Sequence, residues 1–360
     1  MTELNKPPAH VINPINRINL HDLTADEFSA ITEPHRRALL AHCYRLLGSL
    51  QDAEELVQET LLRAWHYRES YAGRAPMQAW LYKIATNLCL DVLARRQRRT
   101  LPIARQAAAD LDEPIPADLN EPIWLEPFPD TLLAPETMMP EVCFALRERI
   151  DLAFLVLLQQ LPPRQRAVLL LRDVLEWQAS EVAQLLDITV PAVKSLLFRA
   201  RQTLAQQPDR DAALAETSRA QPDEVTQRLL HRYATAWEQA DITGLVALLK
   251  EDATFSMPPI PSWYQGRQTI AGLVAKTVFR GMAQGRWRLL PTSANGQPAF
   301  GLYRISDQQA DGTVGYQAYG IQVVTVAGPL IADIITFRVP TLFPKFGLPS
   351  QLSIAKRAEA

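Results

Sequence analysis

Lys194, Ser195, Phe198, Arg199 and Gln202 follow one another at spacings that a helix gathers on a single face. Long donors on such a face neutralise phosphates, which dominates affinity, and reach guanine edges, which sets specificity. A second cationic group, Arg95, Arg96, Arg98 and Arg99, closes another helical stretch. There it suits the negative end of a helix dipole and also neutralises phosphates. Lys83 and Asn87 lie one turn apart and off the apolar stripe of that stretch, a cation and an amide free to meet a polar partner. Earlier still, Asp52, Glu55, Gln58 and Glu59 project away from an apolar face, which by periodicity alone describes a charged surface helix. This is the chemistry of recognition. No phosphate-cradling glycine loop is present, and His35, His42 and His66 do not pair with Cys43, Cys89 or Cys143 at a ligand-like spacing, so neither a cofactor nor a metal is expected.

The elements that must position these groups are helices. Ala53, Leu56, Val57, Thr60, Leu61, Ala64 and Trp65 form one apolar stripe. Trp80, Leu81, Ile84, Ala85, Leu88, Cys89, Val92 and Leu93 form another, predicting a helix from about Met77 to Arg99 after the loop signals Gly73 and Pro76. Trp80 reads as core, whereas Tyr71 and Tyr82 are placed for solvent or nucleic acid. Further on, the helical run through Val168, Leu169 and Leu171 is followed by Trp177 to Leu186. Thr189 is then a natural N-cap, and Pro191 sits harmlessly in the first turn of a helix reaching about Ala205. Val193, Leu197, Ala200 and Leu204 point that last helix inward, leaving the Lys194 face free to enter a major groove. Asp187 occupies the turn where many helix-turn-helix units place glycine, and aspartate tolerates the left-handed conformation better than most residues.

In this order the segments DAEELVQETLLRAW, WLYKIATNLCLDVLARRQRR and LPPRQRAVLLLRDVLEWQASEVAQLLDITVPAVKSLLFRARQTL resemble the extracytoplasmic-function class of the sigma-70 family, within it the forms carrying an extra SnoaL-like domain. The resemblance implies that Gln58 and Glu59, supported by Asp52 and Glu55, meet the clamp helices of the largest polymerase subunit. It implies that Lys83, Asn87, Arg95, Arg96, Arg98 and Arg99 hold the melted minus-ten strand, with Asn87 facing a base. Lys194, Ser195, Phe198, Arg199 and Gln202 then read the minus-thirty-five element. Core RNA polymerase and promoter DNA are the partners so implied.

Between about Leu101 and Glu141, eight prolines forbid a long helix, and nine acidic residues oppose only Arg105. Composition describes a solvated acidic tether; the resemblance adds that such linkers thread the polymerase channels. Trp124 and Phe128 are unusual in a free tether and suggest that part of it docks. From about Asp223 the chain starts again, with helices first and strands after, an α+β order. RYATAWEQADITGLVALLKEDATFSMPP and YQGRQTIAGLV resemble SnoaL-like domains, whose cone can hold a small molecule. Trp237, Phe255, Trp263, Tyr264, Trp287 and Tyr319 are candidate pocket residues, with an aromatic core as the competing assignment. Asp241, Asp252 and Asp333 are the carboxylates available for cone chemistry, but no histidine follows His231, so catalysis is not expected.

The expected architecture is therefore multidomain: two all-α sigma domains joined by an acidic, proline-rich linker, then an α+β SnoaL-like cone. The expected boundaries are an extension over 1–21, region 2 over 22–100, linker 101–141, region 4 over 142–207, connector 208–222, SnoaL-like domain 223–345 and a tail over 346–360. At 360 residues the chain is long enough for several domains. Its net charge of −2 conceals basic reader helices offset by the acidic linker. Few, scattered cysteines, no apolar span and no signal peptide point to a reducing cytoplasm without membrane insertion. Three functions compete: promoter-specific initiation, with the third domain docking in cis to modulate it; a ligand-sensing helix-turn-helix regulator; and a cyclase or isomerase fused to a DNA-binding module.

Overall fold

The computed structural model describes residues 20–71, 73, 75–119, 123–133, 150–206, 223–281, 284–308 and 313–355. Residues 1–19, Cys143 and the connector expected over 208–222 lie outside them. The chain divides into two compact units, one ending at Arg96 and resuming over Leu161–Ala205, the other holding Gln97–Gln160 and everything after Ala205.

The first unit is all helical: α1 (Ala25–Thr32), α2 (Arg36–Leu47), α3 (Leu50–His66) and α4 (Met77–Leu93) precede α6 (Pro163–Leu169), α7 (Ala179–Leu186) and α8 (Val190–Ala205). Thr24 and Glu27 form a reciprocal capping box that starts α1. Gly48 ends α2 in the left-handed region, and Ser49 caps α3 through the Asp52 amide. Leu39, Cys43, Leu46, Leu50, Ala53, Leu81, Ala85 and Cys89 are buried together with Val168 and Leu171. Arg166 is also buried, donating to the carbonyls of Leu46 and Leu161, which ties the start of α6 to the end of α2. The helix expected to reach Arg99 stops at Leu93. Beyond it Arg99 belongs to the other unit, where its guanidinium donates to the Trp124 carbonyl at 2.8 Å and lies 3.9 Å from Glu126. Those partners satisfy a charge that a continued helix would crowd against Arg95, Arg96 and Arg98.

The second unit contains α5 (Leu152–Gln160), α9 (Glu224–Gln239), α10 (Ile242–Val246) and α11 (Arg267–Lys276) with seven strands: β1 (Leu249–Ser256), β2 (Trp263–Gln265), β3 (Trp287–Ala294), β4 (Gln297–Gln308), β5 (Thr313–Ala327), β6 (Leu330–Phe337) and β7 (Gln351–Ala355). The sheet runs β2-β1-β6-β5-β4-β3, and β7 pairs with β5. Only β1 and β6 pair in parallel. Bulges displace the register within β4/β5 and β5/β6, the device by which antiparallel ribbons bend. The tail expected over 346–360 contributes β7, whose backbone pairs antiparallel with the first residues of β5.

Large apolar side chains pack in the interior of this domain. Trp237, Phe255, Tyr264 and Trp287 sit in one cluster with Tyr233, Phe300, Val324 and Ile334. Tyr233 donates to Gln322 at 2.8 Å and Gln322 to Thr336 at 2.9 Å, a buried polar chain whose members satisfy one another.

The acidic linker is not a free tether over its described part. Thr100 exchanges backbone hydrogen bonds with Ile123 and Leu125, and Ile123, Trp124, Leu125 and Phe128 are buried. Phe128 bonds Asn295 through both its amide and its carbonyl. Trp263 accepts from the Ala109 amide and donates its indole N–H to the Gln106 carbonyl, while the Leu119 amide donates to Pro259. Leu111 lies against Gly272, where a Cβ would meet its methyl at 2.6 Å. The acidic count hid this, because the docking groups are backbone amides and a few apolar side chains.

Candidate nucleic-acid interface

Helix α8 presents the expected row. Val193, Ala200 and Leu204 are buried, whereas Lys194, Ser195, Phe198, Arg199 and Gln202 are exposed, Phe198 by 68 %. Leu197, expected inward, is only partly buried. The Thr189 hydroxyl caps the helix by accepting from the Ala192 amide at 3.3 Å. Asp187 holds the turn in the left-handed conformation at φ 52° and ψ 48°. An exposed aromatic flanked by two cations and two hydrogen-bonding side chains can meet a groove edge and its phosphates together.

On α4, Asn87 is exposed and one turn from Lys83, and Arg95 and Arg98 are exposed just past the helix. The remaining candidates of this group are engaged. Arg96 reaches Asp52 at 2.6 Å, Arg99 is buried in the linker, and Lys83 donates to Asp187 at 2.9 Å and to the Gln184 carbonyl at 3.2 Å. Tyr82, expected to face solvent or nucleic acid, is buried, packing on His42 and on Trp177 with ring centres 4.9 and 5.4 Å apart. Burial pushes its phenol up to about 12. Trp80 is part-buried and stacks on Tyr71 at 5.0 Å.

On α3, Gln58 and Glu55 are exposed, and Glu59 is partly so while accepting from Arg63 at 2.6 Å. Asp52 differs from the other three: its side chain is 14 % exposed and turned to Arg96. It joins the two helices of the bundle and is not part of the open acidic face. Sequence spacing could not separate it, since it occupies the first turn where its own amide is also bonded to Ser49.

Cys43 and Cys89 are buried free thiols, and burial with the neighbouring Cys43 pushes the Cys89 thiol well up. No cluster of metal-ligating side chains occurs among the described residues.

In the C-terminal domain, Trp237, Phe255, Tyr264 and Trp287 are core, and Trp263 anchors the linker. Of the six pocket candidates, Tyr319 lines a cavity, with Arg304, Ile305, Ser306, Gln317 and Ala318. Asp333 pairs with Thr254 while the next residue, Ile334, pairs with the core residue Phe255, so the carboxylate lies on the sheet face away from that cluster. It accepts from the Thr254 hydroxyl, and burial raises it to about 6. Asp241 caps α10 and Asp252 pairs with Lys250 at the surface.

Three family models match: Sigma-70 region 2 over residues 31–99, Sigma-70, region 4 over 151–204, and SnoaL-like domain over 230–334. The chain is 45 % identical over 329 residues to the ECF RNA polymerase sigma factor SigG of Mycobacterium tuberculosis, covering 91 % of this chain and 85 % of that protein. It is 26 % identical to the ECF RNA polymerase sigma factor SigW of Bacillus subtilis over 51 % of this chain and 89 % of the relative. The crystal structure of the M. tuberculosis extracytoplasmic function sigma factor SigJ superposes with a TM-score of 0.53 at 23 % identity, covering 89 % of this chain and 99 % of SigJ, a likeness of fold.

Proposed function

Since the chain belongs to the ECF RNA polymerase sigma factors of the sigma-70 family, we propose that its SnoaL-like domain regulates initiation by holding the linker between the two sigma regions. The sigma regions themselves direct promoter-specific transcription initiation, with core RNA polymerase and promoter DNA as partners. Within them, Gln58, Glu59 and Glu55 form the polymerase-binding face, Asn87, Arg95 and Arg98 act at the melted strand, and the α8 row reads the upstream element. The work is done in the cytoplasm; no helix among the described residues is long and apolar enough to cross a membrane.

The carrying observation is the docked linker. Residues 106–119, which must be free to thread a polymerase channel, are bonded instead to Trp263, Pro259, Lys276 and Arg338. A tethered segment needs only weak contacts to stay bound, because its effective concentration is on the order of millimolar. Core polymerase competes for the same segment, and the equilibrium shifts by as much as the two differ in affinity. The same geometry argues against catalysis in the domain: among the described residues the core cluster carries the Tyr233–Gln322–Thr336 chain and no carboxylate, while Asp333 is buried on the opposite face of the sheet.

Transcription with purified core polymerase and a promoter library tests the assignment, comparing the full chain with one stopped after Gln221. Both are expected to bind polymerase and select the same promoters, with different initiation rates. Equal rates and equal polymerase affinities would remove the regulatory role.

A further inference from the structure

A cavity of about 300 Å³ opens on the C-terminal domain between β4 and β5, lined by Arg304, Ile305, Ser306, Gln317, Ala318 and Tyr319. Its floor is made by a bulge: Leu302 pairs with Gly320 and Tyr303 with Ala318, leaving Tyr319 as the extra residue and re-aiming its ring. Trp287 meets that ring edge-on at 5.1 Å. Two guanidinium groups share it, Arg304 at 5.6 Å and Arg338 at 5.5 Å from the ring centre. Arg304 has no ion pair among the described residues. Arg338 holds one carboxylate, Asp118 of the linker at 2.8 Å, and its buried Nε has no hydrogen-bond partner among the described residues.

Two like charges on one aromatic ring raise the positive potential around it, and Arg304, which lines the cavity, is the one placed to meet an anion there. A guanidinium offers parallel N–H donors that match a carboxylate, and Ser306 and Gln317 add neutral hydrogen-bonding groups to the wall. A volume of this size is at the small end of ligand sites. The side chain already drawn to Arg338 is itself a carboxylate, delivered by the segment whose docking the regulatory reading invokes.

We propose that this cavity is a binding site for a small organic carboxylate, seated against Arg304 and Tyr319, and that Asp118 is its intramolecular competitor. The ligand draws on Arg338 and weakens the Asp118 contact, so its binding and the undocking of residues 106–119 favour each other. Linkage requires the converse as well: loosening the linker must tighten the ligand by the same factor. The proposal rests on the docked linker described above but uses neither polymerase nor DNA, so its failure is separable from failure of the initiation reading.

The test titrates benzoate into the full chain at constant ionic strength, with inorganic phosphate and chloride as comparison anions, and reads binding by calorimetry. Saturable benzoate binding is expected in the wild type. It should tighten about threefold or more in Asp118→Asn, since a tethered competitor at millimolar effective concentration is removed. It should weaken at least tenfold in Arg304→Gln, whose unchanged thermal melt would separate lost binding from misfolding. Limited proteolysis within residues 106–119 should quicken with benzoate in the wild type. Saturable binding of phosphate but not benzoate would replace the carboxylate with a phosphate ligand and overturn the class proposed. No saturable binding in Asp118→Asn, or equal binding in Arg304→Gln, would overturn the site.

Discussion

Lys83 on the helix assigned to promoter melting donates its ammonium to Asp187, the left-handed residue in the turn of the helix-turn-helix, at 2.9 Å. The two promoter elements are nominally 25 base pairs apart, about 85 Å of duplex at 3.4 Å per pair. With α4 at the melted strand and α8 at the upstream element, as proposed, helices α4 and α7, which touch here, are expected to separate before both elements are read. Asp187→Gly removes the ion pair while relieving the positive φ, so folding stability should stay within about 1 kcal/mol of wild type. Dyes attached to α4 and α8 should report a larger mean separation in this variant at low salt. In 0.5 M salt, where exposed pairs are screened, wild type should approach it. Equal separations at every salt concentration would show that the ion pair does not set the spacing and that the remaining contacts, among them Tyr82 on Trp177 and the Arg166 hydrogen bonds, close the pair.

The polymerase-binding face rests on exposed polar groups whose removal leaves no cavity. Gln58→Ala with Glu59→Ala should shift stability by about 0.5 kcal/mol or less, the Glu59–Arg63 pair being a surface one. Core-polymerase capture should nevertheless fall. Undiminished capture would move the contact elsewhere on the bundle. Asp52→Ala provides the contrast: it releases Arg96 across the bundle and should lower stability more than either of those substitutions.

On α8, Lys194→Ala and Arg199→Ala should both weaken promoter binding. A residue contacting a base relaxes preference at one position by about 1–3 kcal/mol, whereas a phosphate contact flattens the salt dependence across all sequences. Phe198→Ala should leave the fold unchanged, since its ring is exposed. Promoter selection unchanged in all three variants would exclude this face as the reader.

The order of helices and strands was legible because apolar periodicity is a local signal: the stripes of α3, α4 and α8 could be read residue by residue. What periodicity cannot report is the partner of a polar side chain. The resemblance gives Lys83, Arg96 and Arg99 one shared role at the melted strand, yet one meets a distant turn, one a neighbouring helix and one a linker carbonyl. Tyr82 was misplaced for the same reason, since Trp177, nearly a hundred positions later, is what covers it. In the third domain, strands β2 and β7 are not legible from the sequence, because each is short and defined by its pairing. The aromatic residues offered as a pocket mostly filled the core, as large rings do unless a backbone irregularity turns one outward. The bulge at Tyr319 is such an irregularity, and it depends on the register of two strands, which no single run of residues reveals.

The pH dependence of the first unit should come largely from His42. The ring is buried, its Nε2 lies 2.9 Å from the Thr86 hydroxyl, and desolvation, with help from the Arg45 charge, depresses it to about 3. The folded protein therefore keeps the ring neutral down to about pH 3, whereas the unfolded chain protonates it near its ordinary value of 6.5. Below 6.5 the unfolded state binds the extra proton, so stability is full above that pH and falls as pH drops towards 3. The slope approaches about 1.4 kcal/mol per pH unit, or about 2 kcal/mol lost by pH 5. His35, lowered by burial, adds in the same direction, so the comparison must be with a His42 variant and not with a calculated curve. His42→Gln retains a neutral group able to bond Thr86 and cannot titrate. Urea unfolding between pH 7 and 5, where Asp333 titrates alike in both proteins, should show a steeper loss for wild type than for His42→Gln, even if the variant starts lower. Parallel losses in the two proteins would mean that His42 is solvated or charged in the folded state, contrary to its burial.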